Sequence, residues 1–261
     1  MSENHVLLGD CGAVRVITLN RPASLNSFTA ALHAELLGAL QAAADHGGVR
    51  AVVLTGAGRG FCAGQDLGDP TMTGDVDVGA VIERFYRPLA TRVRTMPVPV
   101  IAAVNGVAAG AGANLALCCD FVIAARSASF VQAFSKIGLV PDCGGSWLLP
   151  RLVGRARALG LAMTGEKLPA DEAERIGLIW KSVDDGTLMD TAIALATRLA
   201  AMPSKALAET RRLIDSATTL EFGDALRLEA DTQRELGRSA DFAEGVAAFF
   251  AKRPAVFKDR G

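Results

Sequence analysis

The sequence predicts an α/β core followed by a helical tail. Two continuous apolar runs, residues 51–55 and 98–104, have the length and composition of strands that are covered on both faces. Helical patterns dominate the C-terminal part of the chain, and a proline at position 203 separates the two parts. We therefore expect a core at residues 1–202 and a helical region at residues 203–261.

The first elements of the core follow from alternation and from capping residues. Residues 6–8 and 14–19 are predicted to form two strands joined by a turn. Ser27 or Thr29 can cap a helix that runs to about Asp45, with leucines recurring along one face. Together with the apolar strand that follows, this gives the order ββαβ.

Glycine, proline and polar residues divide the rest of the chain. Residues 56–64 and 69–79 are predicted to be loops, the second of them mobile. Residues 81–94 are predicted to form a helix that Pro88 kinks or breaks. Further strands are predicted at 121–124, 130–131 and 179–183. Further helices are predicted at 147–152, 155–163, 170–176, 188–201, 205–216, 220–236 and 240–250.

Composition and charge argue against several classes of function. The chain has 261 residues, of which 50% are hydrophobic, and its 27 basic and 28 acidic residues leave a net charge of −1. This balance does not favour nucleic acid or an anionic membrane as a partner. The five cysteines are odd in number and show no C-x-x-C spacing, so no zinc site is expected. We see no signal-peptide pattern and no apolar run of the ~18 residues that a membrane span needs, and we expect a cytoplasmic protein.

The stretch Asn105–Asn114 joins a predicted buried strand to an apolar segment that is compatible with a helix. Its three glycines let another molecule approach the backbone closely. A helix that starts here directs free N–H groups and the positive end of its dipole at whatever lies in front of it. A tight turn without a ligand fits the same pattern.

A second loop of small residues, Phe61–Asp66, follows the strand at 51–55. Two such loops can each supply one backbone N–H to the same oxygen atom, which is the geometry of an oxyanion hole. Taken alone, the second loop fits a flexible surface connection equally well.

Asp142 lies between a proline and two glycines, directly before a predicted helix. Its carboxyl group can cap that helix or stabilise the turn. Alternatively, it is a lone carboxylate, desolvated by Phe134, Val140 and Trp147, that accepts and donates a proton. The three histidines all lie in the first fifth of the chain, so a Ser or Cys nucleophile has no histidine nearby in sequence.

Several motifs in the same order resemble the enoyl-CoA hydratase/isomerase (crotonase) superfamily over nearly the whole chain. The motifs are Asn20-Arg21-Pro22, Leu25-Asn26, Leu54-Thr55-Gly56, Phe61-Cys62-Ala63-Gly64, Val104-Asn105-Gly106, Gly138-Leu139-Val140-Pro141 and the segment from Ser239 to Arg253.

The resemblance implies a fold, a substrate class and an assembly. The fold is a spiral of repeated ββα units, with C-terminal helices that mediate trimers, often stacked as hexamers. The substrate is an acyl-CoA thioester, so coenzyme A belongs to the substrate and no separate cofactor or metal is expected. Two backbone N–H groups stabilise the thioester enolate, and motif matching assigns them to Ala63 and Ala111.

The resemblance also implies isomerisation rather than hydration. Hydratases of the family use two glutamates, at the positions of Asn114 and Phe134 in this chain. Asp142 falls where family isomerases that act on dienoyl-type thioesters carry a catalytic aspartate. One carboxylate can take a proton from one carbon and return it to another. Asn114 is then expected to orient the substrate or the Asp142 carboxyl group by hydrogen bonding.

A closer similarity is to family members that convert a ring-epoxidised phenylacetyl thioester to the seven-membered oxepin thioester in phenylacetate degradation. These enzymes are also credited with moving a double bond in a later intermediate. The similarity involves residues 65–67, 83–89, 109–114, 133–136 and 141–147. Two alternatives stay open: a general Δ3-Δ2 enoyl-CoA isomerase of fatty-acid degradation, and a non-catalytic relative that binds CoA or RNA.

Further positions are expected to contact the thioester. Phe85, Tyr86, Phe134 and Trp147 are candidates to shape an aromatic-sized acyl pocket, and ordinary core packing explains each of them equally well. Lys252 is a candidate to reach the CoA phosphates of a neighbouring subunit, with a solvated helix end as the alternative. The other expected CoA- and substrate-binding residues are Ala23, Ser24, Leu25, Gln65, Asp66, Leu67 and Gly110.

Overall fold

The computed structural model describes residues 4–260, which form two β-sheets and ten α-helices. The strands are β1 (Val6–Cys11), β2 (Val14–Leu19), β3 (Ala51–Gly56), β4 (Gly60–Cys62), β5 (Val100–Val104), β6 (Val107–Ala109), β7 (Phe121–Ala125), β8 (Ser129–Val131), β9 (Lys167–Pro169) and β10 (Lys181–Val183). The helices are α1 (Ala30–Asp45), α2 (Val78–Val81), α3 (Arg87–Arg94), α4 (Ala111–Cys118), α5 (Gly145–Thr164), α6 (Ala170–Arg175), α7 (Leu188–Ala200), α8 (Ser204–Ala217), α9 (Phe222–Leu236) and α10 (Ala240–Ala251).

The chain passes repeatedly between the two sheets. The larger sheet has the strand order β1-β2-β3-β5-β7-β10, and the smaller sheet has the order β4-β6-β8-β9. The pairs β3–β4, β5–β6 and β7–β8 each place one strand in either sheet, and each pair is followed by a helical segment. Apart from the antiparallel pairs β1–β2 and β8–β9, neighbouring strands are parallel. The result is a spiral of ββα units.

The hydrophobic core lies on and around the larger sheet. All residues of β3 and β5 are buried, as the continuous apolar runs predict for strands covered on both faces. Helix α1 packs on this sheet through its buried leucines. The Thr29 side chain caps α1 by accepting a hydrogen bond from the Leu32 N–H at 3.2 Å.

Two asparagines of the recognised motifs fix the corner where the chain leaves β3 and enters β4. The fully buried Asn26 donates to the Gly60 carbonyl oxygen at 2.8 Å. Asn105 donates to the Gly58 carbonyl oxygen at 2.9 Å and accepts from the Gly56 N–H at 3.2 Å. These bonds satisfy main-chain groups of a sharp corner, of which those of Gly56 and Gly60 would otherwise be buried without these partners.

The short strands of the smaller sheet are where the sequence-based prediction is wrong. The predicted loop at 56–64 contains β4, the glycine-rich stretch after Val104 contains β6, and β9 was not expected. Three residues are too few to show the alternation that identifies a strand. Helix α4 also begins at Ala111, earlier than the apolar pattern indicated.

The predicted kink near Pro88 is confirmed. A π-helical turn at Ile82–Tyr86 separates α2 from α3, and Pro88 lies in the first turn of α3. The helix is continuous there, since the Arg87 N–H donates to the Ile82 carbonyl oxygen, and the change to π-helical bonding accommodates a residue that has no N–H group.

The helical tail contacts the core through charged side chains. Arg211 of α8 pairs with Asp120 and donates to the Met96 carbonyl oxygen at 2.7 Å. Asp120 also accepts from the Val100 N–H at 2.8 Å, so it stabilises the turn that precedes β7. Phe222, Phe249 and Phe250 of the tail are 77–78% exposed, and the role of the tail in assembly stays a prediction. Within residues 4–260, no helix is long and apolar enough to cross a membrane.

Candidate active site

A cavity of about 200 Å3 lies where the stretches Asn105–Asn114 and Phe61–Asp66 meet the loop of residues 138–144, here called the Asp142 loop. Main-chain atoms of the segments around Gly64 and Ala111 contribute to its wall. The polar side chains of the cavity wall belong to Gln65, Tyr86 and Asp142. The remaining lining is mostly apolar and includes Val78, Val81, Ile82, Phe134, Ile137 and Leu139.

Two glycines allow the two loops to touch. A side chain at Gly112 would place its Cβ 2.3 Å from the Cys62 carbonyl oxygen. A Cβ at Gly64 would lie 2.9 Å from the Ala109 carbonyl oxygen and 3.6 Å from the Ala111 nitrogen, and Gly64 has a φ of +88°. Only glycine fits such close backbone approaches. The loop after β4 and the start of α4 therefore lie side by side, as the oxyanion-hole interpretation requires.

The expectation that Ala63 donates one of the two oxyanion-hole hydrogen bonds is wrong. The Ala63 N–H already donates to the Leu25 carbonyl oxygen at 2.9 Å. This bond holds the loop after β4 against the segment that precedes α1. An N–H that is committed in this way is not free for a substrate oxygen.

Gln65 has the free N–H group instead. Phe28 pairs with this segment as in a parallel bridge: its N–H donates to the Gly64 carbonyl oxygen at 2.7 Å, and its carbonyl oxygen accepts from the Asp66 N–H at 2.9 Å. In such a pairing the N–H of the residue between the two bonds points to the other side. Within residues 4–260, neither the Gln65 N–H nor the Ala111 N–H, at the start of α4, has a hydrogen-bond acceptor.

Asp142 is the one acidic side chain in the part of the cavity wall that residues 4–260 form. Its Oδ1 atom is buried and has no hydrogen-bond partner in that part of the chain. Burial raises the pKa of Asp142 to about 6. The carboxyl group is thus mostly ionised at neutral pH and is easily protonated, which suits a group that accepts and returns a proton.

Asn114 is fully buried behind the cavity wall. Its Nδ2 donates to the main-chain carbonyl oxygen of Asp142 at 2.9 Å, and its Oδ1 accepts from the Gln132 side chain at 2.8 Å. Asn114 was expected to orient the substrate or the Asp142 carboxyl group, but it does not line the cavity and its bond goes to the main chain of Asp142. Asn114 holds the backbone of the Asp142 loop.

The predicted aromatic pocket is only partly formed by the predicted residues. Tyr86 and Phe134 line the cavity, whereas Phe85 and Trp147 do not. Phe85 stacks on His33 with ring centroids 5.2 Å apart. Successive residues of a helix point in directions about 100° apart, so Phe85 does not face the cavity that the neighbouring Tyr86 lines. Trp147 packs against Arg151, whose guanidinium carbon lies 4.0 Å from the centroid of the indole ring.

The other predicted binding residues divide in the same way. Leu67, Gln65 and Gly110 line the cavity. Asp66 does not line it: its carboxylate pairs with Arg21 at 2.9 Å, which lowers the pKa of Asp66. The residues outside the cavity wall are Ala23, Ser24 and Leu25, in and after the turn at Pro22–Ser24, and the exposed Lys252 after α10.

Sequence reasoning missed the apolar side chains that α2 and the π-helical turn contribute to the cavity. Val78, Val81 and Ile82 are spaced as one face of a helix, and that spacing was the available signal. It missed the Gln65 N–H because that group is free only through the distant Phe28 pairing.

Comparison with known proteins agrees with this architecture. The family model described as enoyl-CoA hydratase/isomerase matches residues 10–260. The chain belongs to this family.

Individual relatives cover almost the whole chain. A 1,2-epoxyphenylacetyl-CoA isomerase of Escherichia coli K12 is 56% identical over 247 residues, which is 94% of this chain and 94% of the relative. A probable enoyl-CoA hydratase of Rhodobacter capsulatus is 51% identical over 245 residues, again 94% of each chain. The crystal structure of an enoyl-CoA hydratase from Bacillus anthracis superimposes with a TM-score of 0.93 at 33% identity, covering 98% of this chain and 100% of that one. The expected spiral of ββα units is therefore confirmed.

Proposed function

We propose that the protein is an acyl-CoA isomerase that converts 2-(1,2-epoxy-1,2-dihydrophenyl)acetyl-CoA to oxepin-CoA and also shifts double bonds in enoyl-CoA thioesters. The proposal depends on one observation: Asp142, whose Oδ1 atom is buried, lines the same cavity as Gln65 and Ala111, whose N–H groups have no acceptor within residues 4–260. The similarity to the isomerase of Escherichia coli supports the choice of substrate.

The first chemical step is removal of a proton from the carbon next to the thioester carbonyl group. Asp142 accepts this proton, and the charge that develops on the thioester oxygen is stabilised by the Gln65 and Ala111 N–H groups. Two aligned donors in a site that excludes water are worth much more than the same bonds in water. Asp142 then returns the proton to a different carbon, so no atom is gained or lost.

For the ring-epoxide substrate, the carbon–carbon bond between the two oxygen-bearing carbons opens to give the seven-membered ring. Asp142 moves one hydrogen from the side-chain carbon to a carbon of the expanded ring. For a 3-enoyl substrate, the same carboxyl group moves a proton from C2 to C4, and the double bond shifts into conjugation with the thioester. One proton carrier is sufficient for both reactions.

The residues at two positions in and behind the cavity wall argue against hydration. The two positions that carry glutamates in hydratases of the family are Asn114 and Phe134 here, and neither side chain can activate water by taking its proton. The mostly apolar wall suits a hydrocarbon acyl group. The same site also fits a general Δ3-Δ2 enoyl-CoA isomerase. Measuring turnover on both substrates distinguishes the two functions.

The decisive experiment measures turnover by the purified protein on two thioesters. One is ring-epoxidised phenylacetyl-CoA, made enzymatically in situ, and the other is a straight-chain 3-enoyl-CoA. We expect oxepin-CoA to form, as followed by mass spectrometry and absorbance, and we expect kcat to fall about a thousandfold or more in the Asp142→Asn variant. Near-normal activity of that variant would exclude the mechanism. Activity on the straight chain alone would assign the protein to general fatty-acid isomerisation.

We infer that the protein assembles as a homotrimer or as a hexamer of two trimers. The exposed phenylalanines Phe222, Phe242, Phe249 and Phe250 of α9 and α10 support this assembly, because large apolar side chains on a surface favour contact with another chain. In such an assembly Lys252 is available to contact the phosphates of CoA bound to a neighbouring subunit. Light scattering after size-exclusion chromatography measures the mass, and a monomeric mass at micromolar concentration would contradict the inference.

A further inference from the structure

Tyr86 is a buried tyrosine whose hydroxyl group bonds to the residue that carries the free N–H of the loop after β4. The side chain is 1% exposed and its hydroxyl group donates to Gln65 Oε1 at 2.6 Å. The direction is fixed because an amide oxygen is only an acceptor. Burial raises the pKa of Tyr86, so the phenol stays protonated and stays a donor.

The amide nitrogen of the Gln65 side chain bonds to the main chain of two segments, one at Phe28 and one at Asp66. This Nε2 atom lies 3.2 Å from the Phe28 carbonyl oxygen and 3.3 Å from the Asp66 carbonyl oxygen. The Phe28 carbonyl oxygen is also the acceptor of the Asp66 N–H. The side-chain amide of Gln65 therefore links the same strand pairing that leaves the Gln65 N–H free.

Tyr86 itself is held in place by aromatic packing. Its ring packs edge-on against Phe28 and His33, with centroid distances of 5.6 and 4.5 Å. It belongs to the π-helical turn that also places Ile82 in the cavity wall. Thus a rigid phenol, rather than a mobile side chain, determines where the Gln65 amide lies.

We propose that Tyr86 is a positioning residue for the oxyanion hole: through the Gln65 side chain, it fixes the direction of the Gln65 N–H toward the thioester oxygen. This inference rests on the proposed function. Hydrogen bonds that stabilise charge in the transition state lose much of their effect when they are misaligned. Tyr86 therefore acts on the reaction without contacting the reacting atoms.

A double-mutant cycle separates this role from direct contact with the substrate. The variants are Tyr86→Phe, which keeps the ring, Gln65→Met, which keeps the side-chain length, and the combination of the two. We expect each single change to lower kcat about tenfold, with KM changed less than about twofold, since the bond matters mainly in the transition state. The double variant should be no slower than the slower single variant, because both changes break one linkage. Unchanged kcat in Tyr86→Phe would overturn the proposal, as would effects that multiply in the double variant, which would mean that Tyr86 acts on the substrate itself.

A matched control is the neighbouring Phe85, which contacts the same aromatic cluster but does not line the cavity. Phe85→Leu should leave kcat unchanged, so a fall in kcat there would attribute the Tyr86 effect to packing and overturn the proposal.

A second measurement needs only binding. Infrared difference spectra of bound phenylacetyl-CoA, labelled with 13C at the thioester carbonyl, report how strongly the carbonyl group is polarised. We expect a shift of the carbonyl stretch to lower frequency on binding to the unchanged protein and a smaller shift in Tyr86→Phe. Equal shifts would overturn the positioning role. If the unchanged protein turned over neither thioester, the proposed function would be overturned instead. Failure of the positioning role and failure of the proposed function are therefore distinguishable.

Discussion

Two titratable side chains have buried polar atoms that lack partners within residues 4–260: Asp142, half-buried in the cavity wall, and His33, buried in an aromatic cluster. Burial is the main cause of both pKa shifts: it raises the pKa of Asp142 to about 6 and lowers that of His33 to about 4. In each case burial makes the neutral form more favourable than it is for the same side chain in water. Only Asp142 faces a cavity, whereas His33 lies between Phe28 and Phe85, with ring centroids 4.6 and 5.2 Å away. The same desolvation therefore suits the proposed proton transfer in one region and is only a cost to stability in the other.

The two regions also differ in what holds the group. The Asp142 loop is held by a hydrogen bond from Asn114 to the Asp142 main chain, and the Oδ1 atom of the carboxyl group has no partner within residues 4–260. His33 is held by stacked rings and by no hydrogen bond from its own ring within residues 4–260. Changes in the two regions should therefore affect activity and stability differently, and the following variants test this difference.

The largest effect is expected for Asn114→Leu, which keeps the side-chain shape and removes both the donor and the acceptor of the amide group. The Asp142 carbonyl oxygen and the Gln132 amide would lose their buried partners. We expect the free energy of unfolding to fall by about 2 to 4 kcal/mol. We also expect kcat to fall about a hundredfold, since the Asp142 loop loses its fixed position. Urea unfolding and steady-state kinetics measure the two effects.

Gln132→Met is the matched control for this variant. It removes the bond to Asn114 Oδ1 but keeps the bond to the Asp142 carbonyl oxygen. Its kcat should stay within about threefold of that of the unchanged protein. An equal loss of activity in both variants would show that the Asp142 loop depends on general packing and not on the Asn114 bond.

The next effect concerns the pH dependence of stability in His33→Phe. Because the pKa of His33 is lowered from 6.5 to about 4 in the folded protein, the unfolded chain binds a proton that the folded chain does not bind between these values. The stability of the unchanged protein should fall as the pH decreases from 6.5 to 4, by about 3 kcal/mol from this group. Thermal or urea unfolding at several pH values should show this contribution missing in His33→Phe, with kcat unchanged at pH 8. An identical pH dependence in the two proteins would contradict the assignment.

Much of the fold was accessible from the sequence because its larger sheet and its helices are long enough to show periodicity. The strands with continuous apolar residues and the capped helix after Thr29 were predicted within a few residues of their observed bounds. In the smaller sheet only β8 was predicted, because each of its strands has three residues and their pairing is fixed by contacts between distant segments.

The candidate site shows the same limit at the level of single atoms. The structure brings Asp142, Ala111 and Phe134 to one cavity, as their motifs had indicated. The choice between the N–H groups of Ala63 and Gln65 depends on the Leu25 and Phe28 backbones, which no local pattern reveals. The same holds for Phe85 and Tyr86, where one step along the helix decides which ring reaches the cavity.

The smallest effect expected is a gain in stability in Asp142→Asn. The pKa of Asp142 is raised from 3.8 to about 6 in the folded protein, so keeping the carboxyl group ionised opposes folding as the pH rises through this range. Allowing for partial exposure to solvent, we expect the variant to be more stable by about 2 kcal/mol above pH 6.5 and to show no such gain below pH 4. Urea unfolding at pH 8 and pH 4 measures the difference.

Asp66→Asn tests a carboxylate whose pKa is shifted in the opposite direction and which lies outside the cavity wall. The pairing with Arg21 lowers the pKa of Asp66, so its ionised form favours folding above pH 4, and the variant should lose stability at pH 8. If both variants lost stability at pH 8, the Asp142 carboxylate would have to be bonded in the folded protein. A bonded carboxylate is a poorer proton carrier, so this result would weaken the contrast with His33 and the mechanism together. A gain in Asp142→Asn with a loss in Asp66→Asn would show that the folded protein carries an unfavourable charge at the position where the proposed mechanism needs a proton acceptor.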